Sequence, residues 1–203
     1  MKKVLLPTFF NRPTLKVAQE LLGKFLVRKI GKKTVAGMIT EVEAYVGPKD
    51  KASHASRGKT ERTKVMFDKP GCWYVYLIYG IHHCLNIVTE RKGYPAALLV
   101  RSVVIPSQHT NKLENVGVLH IIGPGKVCRC FKINKRFNGK PAIKTSGLWI
   151  EDRGTNINPR QIRRGKRIGV EYAGLWKNKL WRFYLSSDRK RGSLRSQTSL
   201  AAE

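Results

Sequence analysis

The fold is decided by an aromatic and apolar stretch, Cys72-Trp73-Tyr74-Val75-Tyr76-Leu77-Ile78-Tyr79. Gly80 follows it, and a second apolar run occupies residues 81–89. Two such runs joined at a glycine predict a pair of antiparallel strands connected by a tight turn. Tyr79 is then expected at the tip of the hairpin.

The segments around this hairpin predict further strands and few helices. Residues 24–30 and 34–46 alternate in polarity across the turn Gly31-Lys32-Lys33, which indicates a second hairpin carrying Glu43. Later strands are expected at residues 96–104, 148–151, 167–172 and 181–185. A helix is expected from Thr14, as N-cap, to Leu22 with a stop at Gly23, and a second helix opens at Gly123-Pro124-Gly125-Lys126. We therefore expect an α+β fold, a single domain built on a curved, mainly antiparallel β-sheet with a few surrounding helices.

Positive charge dominates the composition. The 203 residues contain 40 Lys and Arg against 13 Asp and Glu, a formal net charge of +27. A chain so far from neutrality favours polyanionic partners, nucleic acid first among them. Because 41% of the residues are hydrophobic, the charge is expected to coat a folded body. We expect a globular domain over residues 1–185 and a basic, disordered tail over residues 186–203 that adds affinity for DNA.

Several other classes of function lack support in the sequence. The four cysteines form no CxxC pair, and we expect reduced thiols in an intracellular, cytoplasmic protein. Pro7 interrupts the apolar start, and no apolar stretch is long enough to cross a membrane. His54 has no second metal ligand at a suitable spacing, and neither a GxSxG motif nor a complete P-loop occurs.

Two carboxylates stand out in this basic chain, within Thr40-Glu41-Val42-Glu43-Ala44-Tyr45. The twofold period of a strand places Glu41, Glu43 and Tyr45 on one face. Two interpretations remain open at this point. The carboxylates pair with Lys or Arg on a solvated face, or one of them acts as a general base in a basic, partly dry pocket.

The aromatic stretch also has two interpretations. Tyr74 and Tyr76 share one face of the predicted strand, whereas Trp73 and Tyr79 share the other. Aromatic strands of this kind are typical of a sandwich core. The place of Tyr79 beside Gly80 favours instead a ring that projects from the turn and wedges into stacked bases. The polar and basic residues 48–71 predict a long functional loop.

Motifs along nearly the whole predicted domain together resemble a known family. They are Leu21-Leu22-Gly23-Lys24, Glu41-Val42-Glu43-Ala44-Tyr45, Gly47-Pro48, Asp50, His54, Met66-Phe67, Lys69-Pro70-Gly71, Tyr74-Val75-Tyr76, Ile78-Tyr79-Gly80, Asn86, residues 95–101, Gly123-Pro124-Gly125-Lys126, Arg167-Ile168-Gly169-Val170, Tyr172-Ala173-Gly174 and Trp181-Arg182-Phe183-Tyr184. In order, spacing and residue type this set resembles the alkyladenine (3-methyladenine) DNA glycosylase family of mammals and many bacteria.

The resemblance implies a hydrolytic mechanism. Glu43 matches the general base that deprotonates the water attacking the sugar carbon as the base departs. Arg101 matches a residue placed near that water and the target phosphate. The resemblance implies no metal, no cofactor and no lysine Schiff base.

The resemblance also assigns the residues that recognise damage. Tyr45, His54 and Tyr76 match the pocket in which aromatic rings stack on an electron-poor flipped purine, and cationic bases are expected to gain most. Tyr79 matches the residue that fills the gap left by the flipped nucleotide. Asn86 matches the position that disfavours the amino group of guanine.

Duplex DNA containing damaged purines is the expected partner of a monomeric enzyme. The purines are of the 3-methyladenine, 7-methylguanine and hypoxanthine class, and we expect Arg57, Arg62 and Lys126 to contact the DNA backbone. Binding to DNA would associate the cytoplasmic protein with the nucleoid. Two alternatives remain open from the residues, a non-catalytic basic nucleic-acid-binding protein and a family member that recognises damage without cutting.

Overall fold

One antiparallel sheet organises the protein. The computed structural model describes residues 2–106 and 118–186, and within them ten strands join this sheet. The strands are β1 Lys3–Val4, β2 Phe25–Ile30, β3 Lys33–Val46, β4 Trp73–Ile78, β5 His82–Val88, β6 Ala96–Pro106, β7 Val118–Ile122, β8 Leu148–Asp152, β9 Ile162–Gly165 and β10 Arg182–Leu185. Their order is β1-β8-β2-β3-β6-β5-β4, with β10 beside β3 and β9, and β7 beside β6. The expected α+β fold is confirmed.

Strand β3 holds the sheet together because it pairs with three other strands. Its first half pairs with β2, whereas its second half lies between β6 and β10. Glu43 is thus opposite Leu99 of β6 and opposite Arg182 of β10. The register to β6 shifts on either side of Glu41, which marks a bulge. Glu43 is therefore fixed by backbone pairing on both sides.

Three short α-helices pack on the sheet: α1 Pro7–Phe10, α2 Thr14–Leu21 and α3 Pro124–Cys130. The expected N-cap of α2 is wrong, since Pro13 occupies that position and Thr14 is already helical. The Glu90 carboxylate accepts hydrogen bonds from the Thr14 amide (2.7 Å) and hydroxyl (2.9 Å). A side chain remote in sequence thus accepts the hydrogen bond of a backbone amide that has no partner within the helix.

The hairpin of β4 and β5 contributes to two hydrophobic clusters. Trp73 and Val75 lie in the main core, and the Trp73 indole donates to the Leu148 carbonyl at 3.0 Å. Tyr74 lies in a second cluster on the opposite face, with Tyr76 packed at its edge. Both faces of the strand therefore pack in hydrophobic clusters, as the core interpretation expects, and the wedging of Tyr79 into stacked bases stays a prediction.

The strand predicted at residues 167–172 is wrong. Gly169 has a φ of +74°, a 3-10 helix follows over Glu171–Asn178, and the Ile168 amide binds a side chain of β3 instead of a neighbouring strand. Strand β9 lies just before this segment. It went unpredicted because its sequence, Ile-Arg-Arg-Gly, offers no apolar alternation. Strands β1 and β7 were not predicted either.

The remaining expectations concern the loop, the thiols and the tail. Residues 48–71 form the expected long loop, with 3-10 helices at His54–Arg57 and Lys64–Phe67. All four cysteines are free. In the described part of the chain no helix has the length and apolarity required to cross a membrane. Residues 187–203 of the predicted tail lie outside the described residues.

Candidate active site

Glu43 is a fully buried carboxylate held by three donors. The Ile168 amide donates to Oε1 at 2.8 Å, and the Tyr45 hydroxyl and Arg101 Nη1 approach Oε2 at 3.0 and 3.3 Å. Burial raises the pKa of Glu43 above its ordinary value, although Arg101 and the two hydrogen bonds oppose that effect. The site thus holds a carboxyl group with more affinity for a proton than one in water.

Glu41 shares the same arginine. Arg101 Nε lies 3.4 Å from Glu41, whose carboxylate also accepts hydrogen bonds from Ser102 (2.6 Å) and Arg182 (3.0 Å). The predicted common face of Glu41, Glu43 and Tyr45 is confirmed by these contacts. Of the two interpretations of the carboxylates, a solvated ion pair on the surface is excluded for Glu43.

A second buried ion pair anchors the loop that reaches Glu43. Arg167 donates to both oxygens of Asp50, at 2.5 and 2.8 Å, and to the Ala44 carbonyl at 2.8 Å. Its guanidinium carbon lies 4.9 Å from the centre of the Tyr45 ring. Since Ile168 is the next residue, this pair fixes the amide that binds Glu43.

An aromatic cavity of about 470 Å³ opens beside Glu43. Its wall includes Tyr45, His54, Tyr76, Asn86 and Arg101, five of the residues singled out in the sequence. Glu43 itself is hidden behind Tyr45 and Arg101. The volume is in the range of small-molecule sites. A larger and more open basin, of about 940 Å³, adjoins the cavity and shares His54 with it, but neither Tyr45 nor Arg101, the side chains that bond Glu43, lines this basin.

The histidine and the tyrosines of this cavity are uncharged at pH 7, whereas Arg62 and Arg101 add positive charge to its wall. Burial, assisted by Arg62 and Arg57, lowers the pKa of His54 to about 4, so its imidazole is neutral at pH 7. Its Nδ1 lies 3.0 Å from the Tyr74 hydroxyl, and its ring meets Tyr76 edge-on at 4.6 Å. Burial raises the pKa of Tyr76 well above its ordinary value. A planar guest would therefore meet rings and neutral hydrogen-bonding groups.

Asn86 and Tyr79 lie at opposite extremes of exposure. Asn86 is buried and donates through Nδ2 to the Tyr74 carbonyl at 3.0 Å. Tyr79 sits at the hairpin tip, as expected, with 86% of its surface exposed. Its φ of +52° is unfavourable for a large side chain, and such strain clusters at functional positions. Ile81, on the other side of Gly80, is also exposed.

The three cations expected at the DNA backbone are all exposed but differ in place. Arg57 lines the open basin, and Lys126 lies in helix α3. Arg62 lies at the mouth of the aromatic cavity, with its guanidinium carbon 5.2 Å from the centre of the Tyr76 ring. Backbone contact by these residues stays a prediction.

Sequence reasoning missed the supporting groups of the site. Asp50 and Arg167 were noticed only as parts of motifs, and the Ile168 amide was not considered. Their one signal was an Asp in the predicted loop of residues 48–71 and an Arg at the start of the strand predicted at residues 167–172. Among residues 2–106 and 118–186, no group of three or more His, Cys, Asp or Glu side chains is arranged to hold a metal ion.

Known proteins resemble this chain over most of its length. The family profile described as methylpurine-DNA glycosylase (MPG) matches residues 8–189. A protein of Methanocella arvoryzae is 45% identical over 87% of this chain and 89% of its own length. A protein of Clostridium perfringens is 40% identical over 89% of this chain and 95% of its own length. A protein of Ehrlichia ruminantium is 41% identical over 91% of this chain and 90% of its own length. All three carry the name "Putative 3-methyladenine DNA glycosylase".

Proposed function

The chain belongs to the methylpurine-DNA glycosylase family, and from that premise we propose that it flips alkylated or deaminated purines out of duplex DNA and hydrolyses their N-glycosidic bond. The observation that carries the proposal is the buried Glu43 behind the wall of an aromatic cavity. A surface carboxylate would oppose DNA binding. A buried one, held by three donors, is suited to proton transfer.

The chemistry requires a base and stabilisation of positive charge on the sugar. The bond between the sugar carbon and the purine nitrogen breaks, and its electron pair leaves with the purine. A water oxygen bonds to that carbon, while Glu43 accepts the proton of the water and its negative charge stabilises the cationic sugar. Arg101 forms the longest of the three contacts to Glu43 and also lines the cavity, so on this proposal the water reaches Oε2 beside Arg101.

The flipped purine occupies the cavity between Tyr45, His54 and Tyr76. Ring faces supply stacking area, while the neutral His54 supplies one hydrogen-bonding position. Asn86 lies buried against the same cavity, where its amide disfavours the amino group of guanine and protects the undamaged base. Adenine alkylated on the ring, alkylated guanine and hypoxanthine are the proposed substrates.

Tyr79 takes the place of the flipped nucleotide. Its ring projects from the hairpin tip, next to the mouth of the cavity. A side chain that enters the base stack compensates part of the stacking lost on flipping. Arg57 and Lys126 hold the DNA backbone, and the formal charge of +27 predicts affinity that falls steeply with salt. We propose that the enzyme acts as a monomer in the compartment that holds the DNA.

Release of a free base is the direct test of this function. The native protein is incubated with two duplexes of the same sequence, one with hypoxanthine at a single position and one undamaged, and products are separated by chromatography. We expect free hypoxanthine and an abasic, unbroken strand from the first duplex and no product from the second. A second damaged duplex with 3-methyladenine extends the assay to alkylated bases. Tight binding to both damaged duplexes without release of either base would support the non-catalytic alternative.

A further inference from the structure

Arg62 places a cation on the aromatic wall of the base cavity. Its guanidinium carbon is 5.2 Å from the centre of the Tyr76 ring, within the range of a cation–π contact. The same charge acts on the hydroxyl of Tyr74 and lowers the pKa of His54. Arg62 thus faces three of the aromatic side chains that form the pocket.

The second tyrosine of the cavity also carries a guanidinium. Arg167 lies 4.9 Å from the centre of the Tyr45 ring, although its charge is neutralised by Asp50. A cation on one face of a ring draws on the same quadrupole that attracts a cation to the other face. Both Tyr45 and Tyr76 therefore have less attraction left for a positively charged guest.

The other charges around the cavity do not compensate Arg62. Arg101 is paired with Glu41 and Glu43, and Glu171 lies exposed at the rim. Across the two described ranges, 2–106 and 118–186, Arg62 takes part in no ion pair. Closure of the mouth by DNA excludes water, which strengthens the effect of this charge on whatever the cavity holds.

We propose that Arg62 is a specificity-determining residue that makes this pocket favour neutral purines, such as hypoxanthine, over purines whose ring is cationic in DNA, such as 7-methylguanine. The inference rests on the proposed function and deepens it. It differs from the expectation, drawn from the family resemblance, that cationic bases gain most from these rings. The Tyr76 ring already forms a cation–π contact with Arg62, which leaves it less able to attract a cationic base.

A contact with phosphate is the competing role for Arg62, and the two roles predict different results. A phosphate contact stabilises every damaged duplex equally, because the backbone is the same in all. A charge next to the base discriminates between lesions. The informative quantity is therefore the ratio of rates on the two lesions, since intrinsic differences between the leaving groups cancel when the ratio is compared between variants.

The experiment uses two duplexes that differ only in the lesion, 7-methylguanine or hypoxanthine. Single-turnover rates are measured for the native protein, Arg62→Gln, Arg62→Lys and Arg57→Gln. We expect Arg62→Gln to raise the 7-methylguanine to hypoxanthine ratio about fivefold, because one nearby charge is removed. Arg62→Lys keeps the charge, and Arg57 lines the adjoining basin and acts on His54 less strongly than Arg62 does, so these two variants stay within about twofold of the native ratio. Equal losses on both lesions with Arg62→Gln would overturn the proposal.

Binding separates this inference from the proposed function. Dissociation constants for both duplexes are measured in a Glu43→Gln background, with Arg or Gln at position 62. We expect Gln at position 62 to strengthen binding to the 7-methylguanine duplex relative to the hypoxanthine duplex, by a factor similar to the change in the ratio of rates. If the native protein releases neither base but the affinity ratio shifts, the proposed function is wrong and the role of Arg62 stands. If neither the rates nor the affinities change in ratio, the role of Arg62 is wrong.

Discussion

Two buried arginine–carboxylate pairs lie side by side in this protein, and they differ in how completely they are bonded. Arg167 and Asp50 have no exposed surface and share two hydrogen bonds, of 2.5 and 2.8 Å. Arg101 keeps 12% of its side chain exposed, touches Glu43 once at 3.3 Å, and leaves its Nε without a hydrogen bond. Among the described residues Arg167 donates four hydrogen bonds and Arg101 donates one, although each arginine leaves its buried Nε without a partner. We call the first the saturated pair and the second the incomplete pair.

The difference separates a structural pair from a reactive one. Asp50 accepts two further hydrogen bonds, from the Val46 and Ala52 amides, so each of its oxygens is fully occupied. Arg101, in contrast, lines the aromatic cavity that we propose as the substrate site. The saturated pair fixes the backbone beside Glu43, and we propose that the incomplete pair provides the chemistry.

Breaking the saturated pair is expected to have the largest effect. Asp50→Asn leaves the Arg167 guanidinium buried without its counter-charge, which costs about 3–5 kcal/mol of stability. The free energy of unfolding, measured in denaturant, gives the loss. Asp68→Asn is the matched control, because Asp68 is exposed, and it is expected to change stability by less than about 0.5 kcal/mol. A loss below about 1 kcal/mol for Asp50→Asn would contradict the structural role.

Removing the arginine of the incomplete pair is expected to affect the rate more than the stability. Arg101→Gln removes the charge beside Glu43, and the single-turnover rate should fall about 100-fold. Arg182→Gln is the matched control, because the Arg182 side chain binds Glu41 in the same cluster and forms no ion pair with Glu43. We expect the control to retain a rate within about tenfold of native. Equal losses in both variants would indicate that the cluster acts only as a scaffold.

The smallest expected effect is on the pH dependence of the reaction rate, which concerns only the incomplete pair of Arg101 and Glu43. Burial raises the pKa of Glu43, and a general base works only when ionised, so the rate should rise about tenfold per pH unit until a plateau above pH 4.5. His54, whose pKa is about 4, is mostly neutral at pH 4.5 and above.

Stability provides an independent check on the same group. A carboxyl whose pKa is higher in the folded than in the unfolded state lowers stability as the pH rises from the unfolded to the folded value, because over that range the unfolded chain has released a proton that the folded protein still binds. Native protein should therefore lose unfolding free energy relative to Glu43→Gln as the pH rises above 4.5. A constant difference between the two proteins from pH 4.5 to 8 would contradict the raised pKa.

Local pattern was enough to predict the strand that carries Glu43 and the hairpin that carries Tyr79. Both depend on a twofold period and a glycine at the turn. The segment at residues 167–172 was predicted wrongly because its conformation depends on bonds from Arg167 to Asp50 and from the Ile168 amide to Glu43, more than 100 positions away. Arg62 was assigned to the DNA backbone because its charge is visible in sequence, whereas its contact with Tyr76 requires the fold of the intervening loop.

The most direct test of the account is the single-turnover rate of hypoxanthine release by Glu43→Gln, with unfolding measured on the same preparation. Glu61→Gln serves as the control, because Glu61 is an exposed carboxylate on the same chain. We expect Glu43→Gln to be slower than native by about a thousandfold, at equal or higher stability, and Glu61→Gln to match native. A Glu43→Gln protein that is folded and within threefold of the native rate would contradict the assignment of Glu43 as the base.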